Sequence, residues 1–264
     1  MAKKTNYIAK APDDQGLIYY SDEEQAIWCD LYGQQIPSTR QYADDTYLKG
    51  LDLLEMPADR IPQCLEITEH LMPLTGWCVA PVPALIGFGR FFTMLAEKTF
   101  PAASFIRSRA DYDYIEEPDI FHEIFGHTPL LTDPRFAQFS NTIGKVGQQV
   151  EPADYSWLIR LYWFTIEFGL TVENGHYKAL GSGLTSSPTE LIYSVNSPVP
   201  ERREFNIIDI LRTPYRIDIH QPIYFVLENI DDLFQAAERD LLADIRQAQS
   251  LGLFEPTYEP QLTG

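Results

Sequence analysis

Fifteen residues near the middle of the chain, SWLIRLYWFTIEFGL from Ser156 to Leu170, restrict the fold more than any other stretch. Their apolar side chains surround a helix on nearly all sides, so such a helix must run through the interior of a packed domain. Glu167 is embedded in that run. A carboxylate carried into such surroundings must be protonated or matched by positive charge. The one cation in the run, Arg160, stands seven residues back, about 10 Å along a helix. Three kinds of partner are therefore open to Glu167: a proton or hydrogen-bond donors, a distant arginine, or a metal ion.

The rest of the chain describes an ordinary folded domain. With 264 residues, 45% hydrophobic and 22% charged, it is long enough for a sizeable core and too apolar for wholesale disorder. Twenty Lys and Arg against 38 Asp and Glu leave a formal charge of −18, with no basic stretch fit to neutralise phosphates, so nucleic acid is excluded as a partner. Three cysteines (Cys29, Cys64, Cys78), without a C-x-x-C pair, point to a reducing compartment, the cytoplasm, and away from a sulfur metal site. The start, MAKKTNYIAKAPDDQ, lacks the apolar stretch of a secretory signal. The longest uncharged segment, Leu71 to Gly89, carries Pro73, Gly76, Pro81, Pro83 and Gly87, which would break a membrane helix repeatedly. It reads as a buried, irregular wall, and no membrane partner is expected.

Helix signals dominate the remainder. Ser21 with Glu24 forms a capping box for a helix through Trp28 and Leu31, and a second helix is expected from near Pro62 past Leu65 and His70. Further helices are predicted after Asp133-Pro134, from Pro152 to Phe168, after Ser187-Pro188 with Glu190, and from Ile230 to Ser250. Leu17 to Tyr20 reads as a short extended piece, and Tyr215–Ile219 and Ile223–Leu227 as the best strands. NSPVPERRE, Asn196 to Glu204, resembles a linker. The expected organisation is a flexible tail over residues 1–15, one domain over 16–250 and a tail over 251–264.

PDIFHEIFGHTP holds His122, Glu123 and His127. Zinc proteases place two histidines at i, i+4 on a helix; here they stand at i, i+5, which leaves them about 140° apart on an ideal α-helix. Both can face one ion only if the helix ends or distorts between them, and Gly126 with Thr128-Pro129 supplies an ending. Two neutral imidazoles and a carboxylate favour non-haem Fe(II) and oxygen chemistry, although zinc hydrolases use the same set.

EEPDIFHEIFGHTPLL, RFAQFS, LYWFTIEFGL and GSGLTSSPTELIYS, in this order and separation, resemble the catalytic domain of the pterin-dependent aromatic amino acid hydroxylases, most closely the bacterial members acting on phenylalanine. The similarity runs from about Tyr20 to Leu241. It implies a mainly α (α+β) fold, a single catalytic domain of packed helices with a few short β-strands around a mononuclear non-haem iron site. It implies iron ligands at His122, His127 and Glu167. Arg107 matches the arginine that holds the substrate carboxylate, and Asp119 the neighbour that orients it. Tyr114, Pro118, Trp163, Gly183 and Ser186 match the substrate wall and its support, with Ser186 bonding a ligating imidazole. Phe91 matches the aromatic that stacks on the pterin; Leu85 and Ile86 match its loop, Glu123 the glutamate beside it, and Tyr162 lies nearby. Phe88, Arg90 and Ile115 depart from the mammalian pattern.

The implied activity is conversion of L-phenylalanine to L-tyrosine with Fe(II), O2 and a tetrahydropterin, either tetrahydrobiopterin or a bacterial equivalent. The implied protein is a monomer without a regulatory domain. Tyrosine or tryptophan hydroxylation is the near alternative, and a zinc hydrolase or an inactive scaffold the remote ones. His70, His176 and His220 fall outside these motifs.

Overall fold

The computed structural model describes residues 7–112, 115 and 117–258. In chain order the helices and strands are α1 (Asp22–Tyr42), α2 (Asp45–Leu53), α3 (Cys64–Thr75), β1 (Cys78–Val82), α4 (Phe88–Ala96), β2 (Thr99–Ala103), α5 (Pro134–Gly147), α6 (Tyr155–Tyr162), β3 (Leu170–Glu173), β4 (His176–Ala179), α7 (Ser182–Thr185), α8 (Pro188–Asn196), β5 (Glu201–Glu204), α9 (Ile207–Arg212), β6 (Ile223–Leu227), α10 (Asp231–Ala237) and α11 (Leu241–Leu251). Two π-helical turns, Phe121–His127 and Trp163–Glu167, interrupt this pattern. The domain is mostly helical, with two small sheets, as the motifs imply.

Local chemistry explains where the main helices begin. Ser21 Oγ accepts from the Glu24 amide while Glu24 returns a carboxylate oxygen to the Ser21 amide at 2.7 Å, closing the expected box on α1. Gln63 and Glu66 form the same reciprocal pair at α3. Asp133 with Pro134 opens α5, and Ser187 with Pro188 opens α8. The α4 and α5 helices pack together, α5 meets α10, and α9 bridges α6 and α11 around a core that includes Trp28, Trp77, Phe125 and Phe139. A second, smaller core of Phe168, Leu170, Leu191 and Tyr224 ties α7 and α8 to the larger sheet.

That sheet has the order β4-β3-β6-β5: β3 and β4 are antiparallel, and β6 runs parallel to both β3 and β5. The β3–β4 hairpin turns on Asn174 (φ 52°) and Gly175 (φ 79°), a left-handed pair that Asn-Gly adopts readily. β1 and β2 form a separate parallel pair.

Five expectations are corrected. Tyr215–Ile219 is not a strand. Arg216 closes a local pair with Asp218, and Gln221 Nε2 takes the carbonyls of Arg216 and Ile219 that a neighbouring strand would have used. The linker-like NSPVPERRE contains β5, an edge strand whose charged, partly exposed residues hide its pairing to β6. Ile230–Ser250 is two helices, because Asp240 accepts from the Ala243 amide and starts α11 afresh. Pro152–Phe168 divides into a 3-10 turn, α6 and the second π-turn. Leu71–Gly89 is the end of α3, then β1, then a projecting loop on which Leu85 is 73% exposed, rather than a buried wall. The short piece Leu17–Tyr20 is anchored by the Gln63 side chain, which holds Ile18 at both its amide and its carbonyl. Among the described residues no helix is long and apolar enough to cross a membrane.

Candidate active site

The i, i+5 spacing of His122 and His127 is resolved by winding. Phe121–His127 adopts the wider π-turn, in which residues five apart come round to the same side. The two Nε2 atoms lie 3.1 Å apart. The helix therefore distorts between the histidines and does not end at Gly126, as the sequence had indicated. Gly126 serves close packing instead: a Cβ there would stand 3.0 Å from the Ser182 carbonyl oxygen.

Glu167 ends the second π-turn and points at the same place. Its Oε1 is 3.2 Å from His127 Nε2 and its Oε2 3.6 Å from His122 Nε2. Arg160 is not its partner, because that guanidinium lies over the Trp157 ring at 4.9 Å. Burial opposes the Glu167 charge, but the His127 imidazole, then His122 and Ser182, hold its carboxyl down to about 2. Burial pushes the His122 imidazole down to about 4, with His127 adding to the effect and Glu167 opposing it, so it is neutral at physiological pH. Glu123 is the reverse case: burial, with Glu167 and Asp119 nearby, raises its carboxyl well above the usual range.

This donor set fits a divalent ion. Ligand bonds of about 2.1 Å place neighbouring octahedral donors about 3.0 Å apart, close to the edges of the His122, His127 and Glu167 triangle. The His122 tautomer fits too. Ser186 Oγ donates to the Ser182 carbonyl at 2.7 Å and so accepts from His122 Nδ1 at 2.9 Å, which leaves the lone pair on Nε2 facing inward. His122, Glu123 and His127 also have donor atoms within 4.8 Å of one another. Glu167 is nonetheless the better placed carboxylate: it stands 3.2 Å from His127 Nε2 and its carboxyl is held low, whereas Glu123 stands at 4.0 Å and its carboxyl is pushed up.

Behind His122 sits a buried ion pair. Arg107 Nε and Nη2 donate to the two oxygens of Asp119 at 2.8 and 2.9 Å, and the Arg107 amide adds a third bond. Asp119 Oδ1 also accepts from the His122 amide at 3.1 Å, so one carboxylate fixes both the arginine and the start of the first π-turn. Burial works against Asp119's charge, and Arg107 more than offsets it, holding the carboxyl below its ordinary value. Among the described residues, Arg107 Nη1 makes a longer bond, 3.3 Å to the Tyr112 carbonyl.

The aromatic residues singled out from sequence line the surroundings. Trp163 stacks on Tyr215 at 4.4 Å and donates its indole N–H to Gln221 Oε1 at 3.1 Å. Phe91 meets Tyr162 edge-on at 5.2 Å, and Tyr162 lies over the His127 ring. Gly183 allows close approach, since a Cβ there would meet the Phe168 ring at 2.8 Å and the Glu167 carbonyl oxygen at 3.0 Å. Pro118 is half-buried one residue before Asp119, whereas Leu85 and Ile86 lie on the projecting loop between β1 and α4. Tyr114 lies outside the described residues. Two further contributors are not singled out from sequence: Ser182, which lies inside the GSGLTSSPTELIYS motif but matches no role there, and Gln221, a loop amide outside every motif.

A mostly helical domain that brings two imidazoles and an ionised carboxylate to one point, on two π-turns, is the framework of a mononuclear metal enzyme. Residues 3–256 match the family described as biopterin-dependent aromatic amino acid hydroxylase, and the chain belongs to that family. It is 46% identical over 257 residues to the phenylalanine-4-hydroxylase of Vibrio cholerae, covering 97% of this chain and 89% of that one. The structure of the cold-active phenylalanine hydroxylase from Colwellia psychrerythraea superposes with a TM-score of 0.93 at 48% identity, over 95% of this chain and 97% of that one. The Chromobacterium violaceum phenylalanine hydroxylase with bound oxidised Fe(III) gives a TM-score of 0.88 at 36% identity, over 96% and 92%.

Proposed function

We propose that this chain is a phenylalanine 4-monooxygenase that binds Fe(II) through His122, His127 and Glu167 and converts L-phenylalanine to L-tyrosine. The observation that carries the proposal is the inward-facing triangle of two Nε2 atoms and one ionised carboxylate, with edges of 3.1 to 3.6 Å. The name and near-complete overlap of the Vibrio cholerae relative support phenylalanine as the substrate. When bound, iron and a tetrahydropterin together supply the reduction of O2 that delivers one oxygen atom to the aromatic ring.

The chain's own residues bind, orient and exclude water. Arg107, locked by Asp119, offers its remaining N–H groups to the carboxylate of the amino acid, a planar match that a lysine lacks. Trp163, held flat between Tyr215 and Phe168, forms an apolar wall for the substrate ring, with Pro118 and Gly183. Phe91, packed edge-on against Tyr162, would hold the pterin together with the loop of Leu85 and Ile86. Glu123, whose carboxyl burial and the neighbouring Glu167 push upward, would offer a polar contact to the pterin. Residues 16–250 act as one catalytic unit, a cytoplasmic monomer, in keeping with three cysteines that form no disulfide.

The test is tyrosine formation, followed by chromatography, from L-phenylalanine and O2 with Fe(II) and a tetrahydropterin, against mixtures lacking each component. Tyrosine only in the complete mixture is expected. Product from L-tryptophan or L-tyrosine at a higher kcat/KM than from phenylalanine would reassign the substrate within the family.

A further inference from the structure

Ser182 lies at the first position of α7 and is fully buried, and its hydroxyl reaches two of the three proposed metal donors. Its Oγ is 2.9 Å from Glu167 Oε2, 3.1 Å from His127 Nε2 and 3.1 Å from the Ile166 carbonyl oxygen. The glycines on either side make this approach possible. A Cβ at Gly181 would stand 2.2 Å from the Glu167 carbonyl oxygen and one at Gly183 3.0 Å from it, so the run Gly181-Ser182-Gly183 lies directly on the second π-turn.

A hydroxyl carries one proton and two lone pairs. The Ile166 carbonyl and the Glu167 carboxylate both accept, so they compete for that proton, and the carboxylate is nearer and charged. Once His127 Nε2 gives its lone pair to a metal, it can neither donate to nor accept from the serine. The Ser182 proton is then committed to Glu167. Both carboxylate oxygens face the imidazoles, Oε1 toward His127 and Oε2 toward His122. We propose that Ser182 is a positioning residue for the metal-binding carboxylate: it ties Oε2, so that Glu167 presents Oε1 to the metal and the remaining positions stay open to other ligands. This rests on the assignment of His122, His127 and Glu167 as metal ligands.

The test compares wild type, Ser182→Ala and Ser182→Thr, each stripped of metal, titrated anaerobically with Fe(II), and separately loaded with Co(II) for its visible spectrum. Expected for Ser182→Ala are Fe(II) binding weaker by about tenfold and an altered Co(II) spectrum, the second oxygen being free to join the metal. The metal-free melting temperature should stay near that of wild type, and Ser182→Thr should restore the wild-type spectrum. Fe(II) affinity within twofold of wild type together with an unchanged Co(II) spectrum overturns the proposal. Failure of the wild type itself to bind either ion would instead sink the ligand assignment. Should Ser182→Ala not fold, a structure of iron-loaded wild type decides: Oγ beyond hydrogen-bond reach of Oε2 overturns the proposal.

Discussion

Glu123 and Glu167 both stand beside His127, yet one carboxyl is pushed above its ordinary range and the other is held below it. The difference lies in their neighbours, since Glu167 faces two imidazoles and a serine hydroxyl while Glu123 faces other carboxylates. An ionised Glu167 is the better donor for a cation, so Glu167→Ala and His127→Ala should each purify without iron and without turnover. Metal analysis after desalting checks this, and retained stoichiometric iron in either variant contradicts it. Arg107→Lys should lower kcat/KM for phenylalanine by roughly 30-fold, about 2 kcal/mol, through loss of a planar charged contact, with the pterin KM unchanged. An equal rise in both KM values would show that the arginine supports the whole site rather than the amino acid. At this scale the histidines and Glu167 were legible from residue type and setting. Ser182 and Gln221 were not, because their partners lie 15 and 58 residues away in sequence.

Two elements carry the proposed ligands, and both are π-turns rather than α-helix. That winding sacrifices regular hydrogen bonding and is held by what packs against it, chiefly the Gly181-Ser182-Gly183 run. Glycine positions elsewhere separate packing from propensity. Gly144 on α5 faces α4, where a Cβ would stand 2.3 Å from the Ala96 amide nitrogen, so Gly144→Ala should destabilise by about 2 kcal/mol. Gly33 on α1 meets nothing within 4 Å, so Gly33→Ala should stabilise by about 0.5–1 kcal/mol. Urea unfolding of the two variants reads this contrast directly, and shifts of the same sign would refute it. Helix starts were legible because capping is local: Ser21 with Glu24, and Ser187 with Pro188, act within four residues. The split at Asp240 and the edge strand β5 were not, since each depends on a neighbour brought up by the fold.

Across the whole molecule, Glu190 is a buried carboxyl outside the metal centre. Its Oε1 accepts from the Gln221 amide and the Tyr224 hydroxyl, both at 2.8 Å, joining α8 to β6 and its approach loop. Burial raises its carboxyl from 4.5 to about 7, more than those two bonds lower it. Between these values the folded protein holds a proton that the unfolded chain has released. The stability from Glu190 is therefore fully present below about pH 4.5, falls as pH rises, and is lost above about 7. Glu190→Gln keeps an acceptor at that position without the charge. It should gain on the order of 2 kcal/mol at pH 8, shrinking toward zero near pH 5. Thermal unfolding at the two pH values checks the sign, and an equal gain at both would exclude ionisation as the cause. Fe(II) at 100 times its dissociation constant should add about 2.7 kcal/mol, removed again by a chelator, because donors carried on two separate π-turns meet only in the folded state.

The sequence alone determined that the chain is mainly helical and that Glu167 is carried into the interior. It also marked a His-Glu-His cluster as the place where the chemistry gathers. Those properties follow from residue type and short-range spacing, and apolar periodicity and capping act over a single turn. Only the tertiary structure decided that His122 and His127 share a side through π-winding, that Ser182 reaches the donors, and that Gln221 holds Trp163. Each of these is a contact between segments far apart in the chain, and its energy exists only once packing has brought the partners together.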